Sequence, residues 1–271
     1  MYAVISLKGR QNVFSQLLEE LKYALRDITS QELKTILIEA SAGSVRATYH
    51  AKKKSVKGLW ELSKKAKALG LETIERYKTD GVIQSFEKDM DKLGELAMKL
   101  PAKAKMVYDN FLSQTREKQI ETVASVILLT SIYLACCGGP DAEGGLPDMD
   151  IAVAGIGHHR SVFSHSVILG LGIEFTGRFT FMILENIKGR LPEPHHTAWD
   201  KVFNFMDKNR EKAVMAVWLG IGTHLIKDSG LITGGVKPYA DMPVSMTKEA
   251  HQATFAINGM TATAFGSKGD V

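Results

Sequence analysis

Residues 213–228 read Ala-Val-Met-Ala-Val-Trp-Leu-Gly-Ile-Gly-Thr-His-Leu-Ile-Lys-Asp. The run is apolar up to His224 and predicts a helix. His224 and Asp228 stand four residues apart, so both leave the same helical face. A second apolar run, Val167–Leu184, is interrupted by Glu174 and Arg178. Ionisable groups inside such helices face a partner group or a polar cavity. Helices that turn them inward are a usual way to build a metal site in a bundle. The expected fold is an all-α helical bundle with its site between helices of the C-terminal half.

Working outward from that run, residues 12–40 and 56–120 carry helical periodicity. Val13, Leu17, Leu18, Leu21 and Leu25 form one apolar stripe, and Leu59, Leu62, Ala66 and Leu69 form another. Gly43, Gly70, Gly81 and Pro101 are the expected breaks. Strand-like alternation is confined to Tyr2–Leu7. Residues 1–121 hold 22 Lys and Arg against 16 Asp and Glu, whereas the remainder holds 12 against 14. A basic helical region, residues 1–116, is therefore expected before a slightly acidic domain of residues 117–271. Between Arg46 and Lys67, Lys52, Lys53, Lys54, Lys57, Lys64, Lys65 and Lys67 interleave with Leu59, Trp60 and Leu62. That pattern reads as an amphipathic surface for anionic lipid, nucleic acid or an acidic protein, or as a solvated helix face.

Residues 122–139 are uncharged and close to the lower length limit for crossing a bilayer. They read as a core helix packed beside the site helices or as a short membrane segment. The end of this run resembles a lipoprotein signal, but it begins more than a hundred residues into the chain. No secretory pattern opens at Met1. The only cysteines, Cys136 and Cys137, are adjacent, which excludes a disulfide scaffold and points to a reducing compartment.

Three clusters can carry chemistry. Leu146-Pro147-Asp148-Met149-Asp150 follows a Gly-Gly turn, and an extended backbone there lets both carboxylates reach one cation. Gly157-His158-His159-Arg160-Ser161-Val162-Phe163-Ser164-His165-Ser166 holds three of the eight histidines, and imidazole is the commonest ligand for zinc and related ions. His159 is expected at a helix entrance and His165 in its first turns. Asp228, in the third cluster, binds a metal directly or orients His224. Nitrogen and oxygen donors mixed in this way suit two divalent transition ions, zinc first and manganese or iron next. His195 and His196, beside two prolines, read as exposed loop residues, and neither His50 nor His251 belongs to a cluster.

The ordered motifs, from about Gly144 to Pro243, resemble the family of LexA-regulated, membrane-bound, metal-dependent hydrolases (YdjM-like). That resemblance implies metal-binding roles for Asp148, Asp150, His159, His165, His224 and Asp228, with Arg160 and Ser166 beside the metals. Ser164 stands where the family has threonine, and Arg190–Asn209 lengthens the connection before the third motif. The family is similar in turn to the zinc phospholipase C and single-strand nuclease group. The implied activity is phosphodiester hydrolysis at or near the cytoplasmic face of a membrane. A nuclease and a non-enzymatic membrane or assembly protein are the alternatives. Residues 1–116 match no family and are read as a membrane-docking or partner-binding addition.

Overall fold

A computed structural model describes residues 7–155, 159–231, 235, 237–242 and 244–267. Among them are eight α-helices, one 3-10 turn and no strand. The all-α class read from the sequence holds. Of the expected strand at Tyr2–Leu7, residues 2–6 lie outside the described part, and Leu7 opens α1. The helices are α1 (Leu7–Arg26), α2 (Ser30–Thr79), α3 (Val82–Leu112), α4 (Arg116–Cys137), α5 (Asp150–Ala154), α6 (Val167–Lys188), α7 (Ala198–Asp228) and α8 (Lys248–Gly266).

Backbone contacts group Met1–Lys53 with Leu128–Val271 and set Lys54–Ile127 apart as a second unit. A division at residue 116 does not follow this grouping, because the first helices belong with the C-terminal half. Glu20 of α1, 7 % exposed, accepts from the His196 amide at 3.0 Å and the Trp199 indole at 2.9 Å. Ala24 is 2 % exposed and packs against Leu191 and Phe203. The face that α1 buries is therefore centred on Glu20 and Ala24, while Val13, Leu18 and Leu25 of the expected stripe are exposed.

In the first unit the core gathers around Trp218, Ile221, Leu225 and Phe255, all fully buried on α7 and α8. Gly222 and Gly259 let these two helices meet closely: a Cβ on Gly222 would lie 2.8 Å from the Thr263 nitrogen and 3.0 Å from the Gly259 oxygen. Of the run 122–138 only the end packs on α7, where Cys136 and Cys137 are each 1 % exposed and the Tyr133 hydroxyl lies 3.2 Å from that of Thr223, whereas Val123, Val126 and Ile127 are exposed. Both α4 and α6 are long and apolar enough to cross a membrane.

Gly43 does not break α2. It sits where a Cβ would come within 2.7 Å of the Met182 sulfur, so its small size serves packing against α6. Gly70 likewise lies inside α2, and Pro101 inside α3. Flanking residues of high helix propensity carry both helices through these positions. In the second unit the chain does turn at Gly81, with φ of 81°. There Arg76 grips Asp89 at 2.6 and 2.8 Å, tying the end of α2 to the start of α3.

Lys52 departs from the surface role read for the basic cluster. Its side chain is 12 % exposed and its ammonium lies 2.7 Å from Glu174. The same nitrogen stands over the Trp218 ring at 4.4 Å. It is a core cation, drawn inward by a buried carboxylate on α6. Lys53 and Lys57 are exposed, as is Trp60, whereas the side chains of Leu59, Leu62, Lys65, Ala66, Lys67, Leu69, Leu93 and Leu96 lie outside the described residues.

Candidate metal centre

The site is assembled from three pieces of the first unit. After α4 the chain reverses through Gly138, Gly144 and Gly145, whose φ values of 90°, 80° and 79° favour glycine. The return is tight: a Cβ on Gly145 would lie 2.6 Å from the Gly138 nitrogen and 2.7 Å from the Ala135 oxygen. The Leu146 amide then donates to the Ala135 carbonyl at 2.9 Å, and a 3-10 turn over Pro147–Met149 leads into α5. Asp148 and Asp150 are therefore on a helical turn, which corrects the extended backbone expected for them. They still converge, because both carboxylates reach the His159 Nδ1, at 3.5 and 3.2 Å.

His159 and His165 also lie outside the helix expected to hold them. They occupy turns before α6, whose N-cap is Ser166; its Oγ accepts from the Ile168 amide at 3.2 Å. That capping bond accounts for Ser166 without a part in the metal cluster. The hydroxyl that does touch the cluster belongs to Ser164, which donates to Asp150 Oδ2 at 2.6 Å and lies 2.8 Å from His165 Nδ1. Its place next to His165 was visible in the sequence, but nothing there showed which of two neighbouring serines would turn inward.

Hydrogen bonding fixes both buried imidazoles. His224 Nδ1 donates to the Cys137 carbonyl at 3.1 Å. Because the Ser164 proton goes to Asp150, its oxygen accepts from His165 Nδ1. The two rings turn their Nε2 atoms toward each other at 3.4 Å. Asp148 Oδ1 lies 3.1 Å from the His165 Nε2 and 3.7 Å from the His224 Nε2. Asp228 Oδ2 lies 3.6 Å from each. Donors on a tetrahedral zinc ion, with bonds of 2.0–2.1 Å, stand roughly 3.3 Å apart. His165, His224 and Asp228 are thus mutually close enough to share an ion, with Asp148 within 3.7 Å of both imidazoles.

A second group of mutually close donors joins Asp148, His159 and His165, with Asp150 against His159. His165, His224 and Asp228 are wholly buried, whereas Asp148 and His159 each keep 13 % of their side chains exposed. The cluster is closed on the α7 side and reachable on the α5 side.

Electrostatics agree with a cation site. Burial works against the charge of Asp228, yet the nearby His224, Arg160 and Lys237 hold its carboxyl down to about 2. Asp148 and Asp150 are opposed by burial too, but the histidines, Ser164 and the Gly144 and Ser161 amides keep both below the usual carboxylate range. Burial also disfavours a charged His224, but Asp228 and Asp148 outweigh it and raise its affinity for a proton. Arg160, at φ 66°, places its Nε 3.3 Å from Asp228 Oδ2.

Outside the cluster, His196 accepts from the Ala198 amide and His195 meets Asp200 at 3.3 Å, so both brace the start of α7. His251 supports the site from behind: its Nδ1 accepts from the Tyr239 amide, and the Tyr239 hydroxyl donates to the His165 carbonyl at 2.8 Å. Gly157, His158, Thr233, Val236 and Pro243 lie outside the described residues. Comparison of the chain with protein-family models, characterised proteins and solved structures returns no match.

Proposed function

We propose that this protein is a metal-dependent phosphodiester hydrolase working at an anionic membrane surface, phospholipase-like in its substrate. The observation that carries this reading is the convergence of the two buried imidazole Nε2 atoms, 3.4 Å apart, with oxygens of Asp148 and Asp228 within 3.7 Å of both. Such a buried concentration of nitrogen and carboxylate donors is the chemistry of a divalent cation site. His165, His224 and Asp228 would hold one divalent ion and His159 and Asp150 the other, with Asp148 shared. The nitrogen and oxygen donors suit zinc first, then manganese or iron. Such an ion pair acidifies water and neutralises charge on a phosphoryl group.

The protein's own groups do the rest. Ser164 and the Cys137 carbonyl orient the imidazoles. Arg160, at the edge of the cluster, is suited to hold a phosphoryl oxygen. The motif order shared with the YdjM-like hydrolases supports the same chemistry. Lipid is favoured over nucleic acid by the apolar side chains of this region. Met149, Val153, Phe163 and Ile168 are all exposed on the segments that carry Asp148, Asp150 and His165, and exposed apolar groups in one region mark an interaction surface.

The test is hydrolysis by zinc- or manganese-loaded protein of short-chain phosphatidylcholine and, in parallel, of single-stranded DNA. We expect the lipid to be cleaved and Arg160→Gln to lower kcat/KM by at least tenfold with metal content unchanged. Cleavage of DNA alone would replace this reading with a nuclease, and cleavage of neither would overturn enzymatic activity.

A further inference from the structure

Away from the metal cluster, a cavity of 560 Å³ lies between the end of α4, α6 and α7. Its size is within the range of about 300–1,000 Å³ common for small-molecule sites. Ile132, Cys136, Ile173, Phe181, Val214 and Val217 make its walls apolar. Asn209 interrupts them. It is 2 % exposed, and its Nδ2 donates to the Phe205 carbonyl at 2.8 Å, which fixes the orientation of the amide. The Oδ1 is left buried without a hydrogen-bond partner. A buried acceptor in that state calls for a donor.

The buried charges of the same wall are matched among themselves. Arg178 binds Glu174 at 3.0 Å and both oxygens of Glu211 at 2.7 and 2.9 Å. Glu174 in turn accepts from the Trp218 indole at 2.6 Å and faces Lys52 at 2.7 Å. Glu185 and Arg210 also line the cavity, but both are exposed; at the buried wall itself a charged head group would find every counter-ion already engaged. An alkyl chain with a neutral hydroxyl head meets every requirement, and α4 and α6 are both apolar enough to meet a bilayer that supplies one.

We propose that this cavity binds a neutral single-chain lipid of the monoacylglycerol class, its chain along the apolar walls and one hydroxyl donating to Asn209 Oδ1. The site does not depend on metal or on hydrolysis. Gly177 offers a clean test, because it lines the cavity and a Cβ there meets no atom within 4 Å. Gly177→Leu fills open space and replaces a poor helix former with a good one.

The experiment is titration of the full-length protein with a fluorescent monoacylglycerol analogue, followed by competition with 1-monooleoylglycerol and with oleate. We expect saturable one-to-one binding and displacement by the glyceride at a concentration at least tenfold below that needed for oleate. Gly177→Leu should weaken binding at least tenfold without lowering Tm, and Asn209→Leu should abolish the preference for glyceride. Absence of saturable binding, equal competition by oleate, or unchanged affinity in Gly177→Leu would overturn the site.

Discussion

Lys52 and Ser164 carry the largest differences between a residue's type and its role. The ammonium of Lys52 is inside the core with Glu174 and Trp218. Removing one partner of a buried ion pair costs up to about 3 kcal/mol, and Glu174 would keep only Arg178 as counter-ion. Lys52→Met is therefore expected to lower stability by that order, and Glu174→Gln in the same chain to recover part of it. Chemical denaturation of the two single variants and the double variant measures the coupling, and additive losses would contradict it. Ser164 and Ser166 separate support of the metal site from support of the helix. Ser164→Ala loses the bonds to Asp150 and His165 and should weaken zinc binding by about tenfold. Ser166→Ala should cost about 1 kcal/mol through the lost cap and leave zinc affinity as it was; zinc titration alongside thermal unfolding tells them apart. That His165, His224 and the three aspartates meet was legible, for His224 and Asp228 from their four-residue spacing and for the others from the ordered motifs. Lys52 was not, because its counter-ion lies 122 positions along the chain, and local charge patterning cannot see it.

At the scale of elements, glycine marked close helix contacts more often than helix ends. Gly222→Ala would press a methyl group into the backbone of α8. Overpacking of this kind costs about 1–3 kcal/mol, and His224 is two residues away, so both Tm and zinc affinity should fall. Retention of both would contradict the tight α7–α8 contact. Between α6 and α7, Arg178 clasps Glu211 and so holds its carboxyl below the usual range. A depressed folded pKa gives stability that is present above the ordinary value of about 4.3 and is lost as pH falls through the folded value. Wild type should therefore lose more Tm than Glu211→Gln on acidification from pH 7 toward pH 3, and parallel Tm curves would count against the link. Periodicity found the helical segments, but Gly43, Gly70 and Pro101 were misread as ends because sequence spacing does not reveal what packs against a position. The turns carrying His159 and His165 were misread as helix for a related reason: their conformation follows from bonds to Asp150 and Asp241, the latter 79 positions from Val162.

For the whole molecule, fold class was readable from composition and periodicity, since hardly any segment alternates as a strand does. The grouping of residues was not, because α1 and the start of α2 join the C-terminal half through Glu20, Ala24 and Lys52, three positions outside the apolar stripes. What that first unit accomplishes is to bring three short motifs, spread over Asp148 to Asp228, to one point. That point is proposed to hold metal. Elemental analysis by inductively coupled plasma mass spectrometry, after incubation with zinc and desalting, tests it on wild type and on a His165→Ala, His224→Ala double variant whose helix content is checked by circular dichroism. Two zinc ions per chain are expected in wild type, with loss of at least the buried one in the folded variant; wild type without bound metal, or a variant that retains as much as wild type, would contradict metal binding at this point.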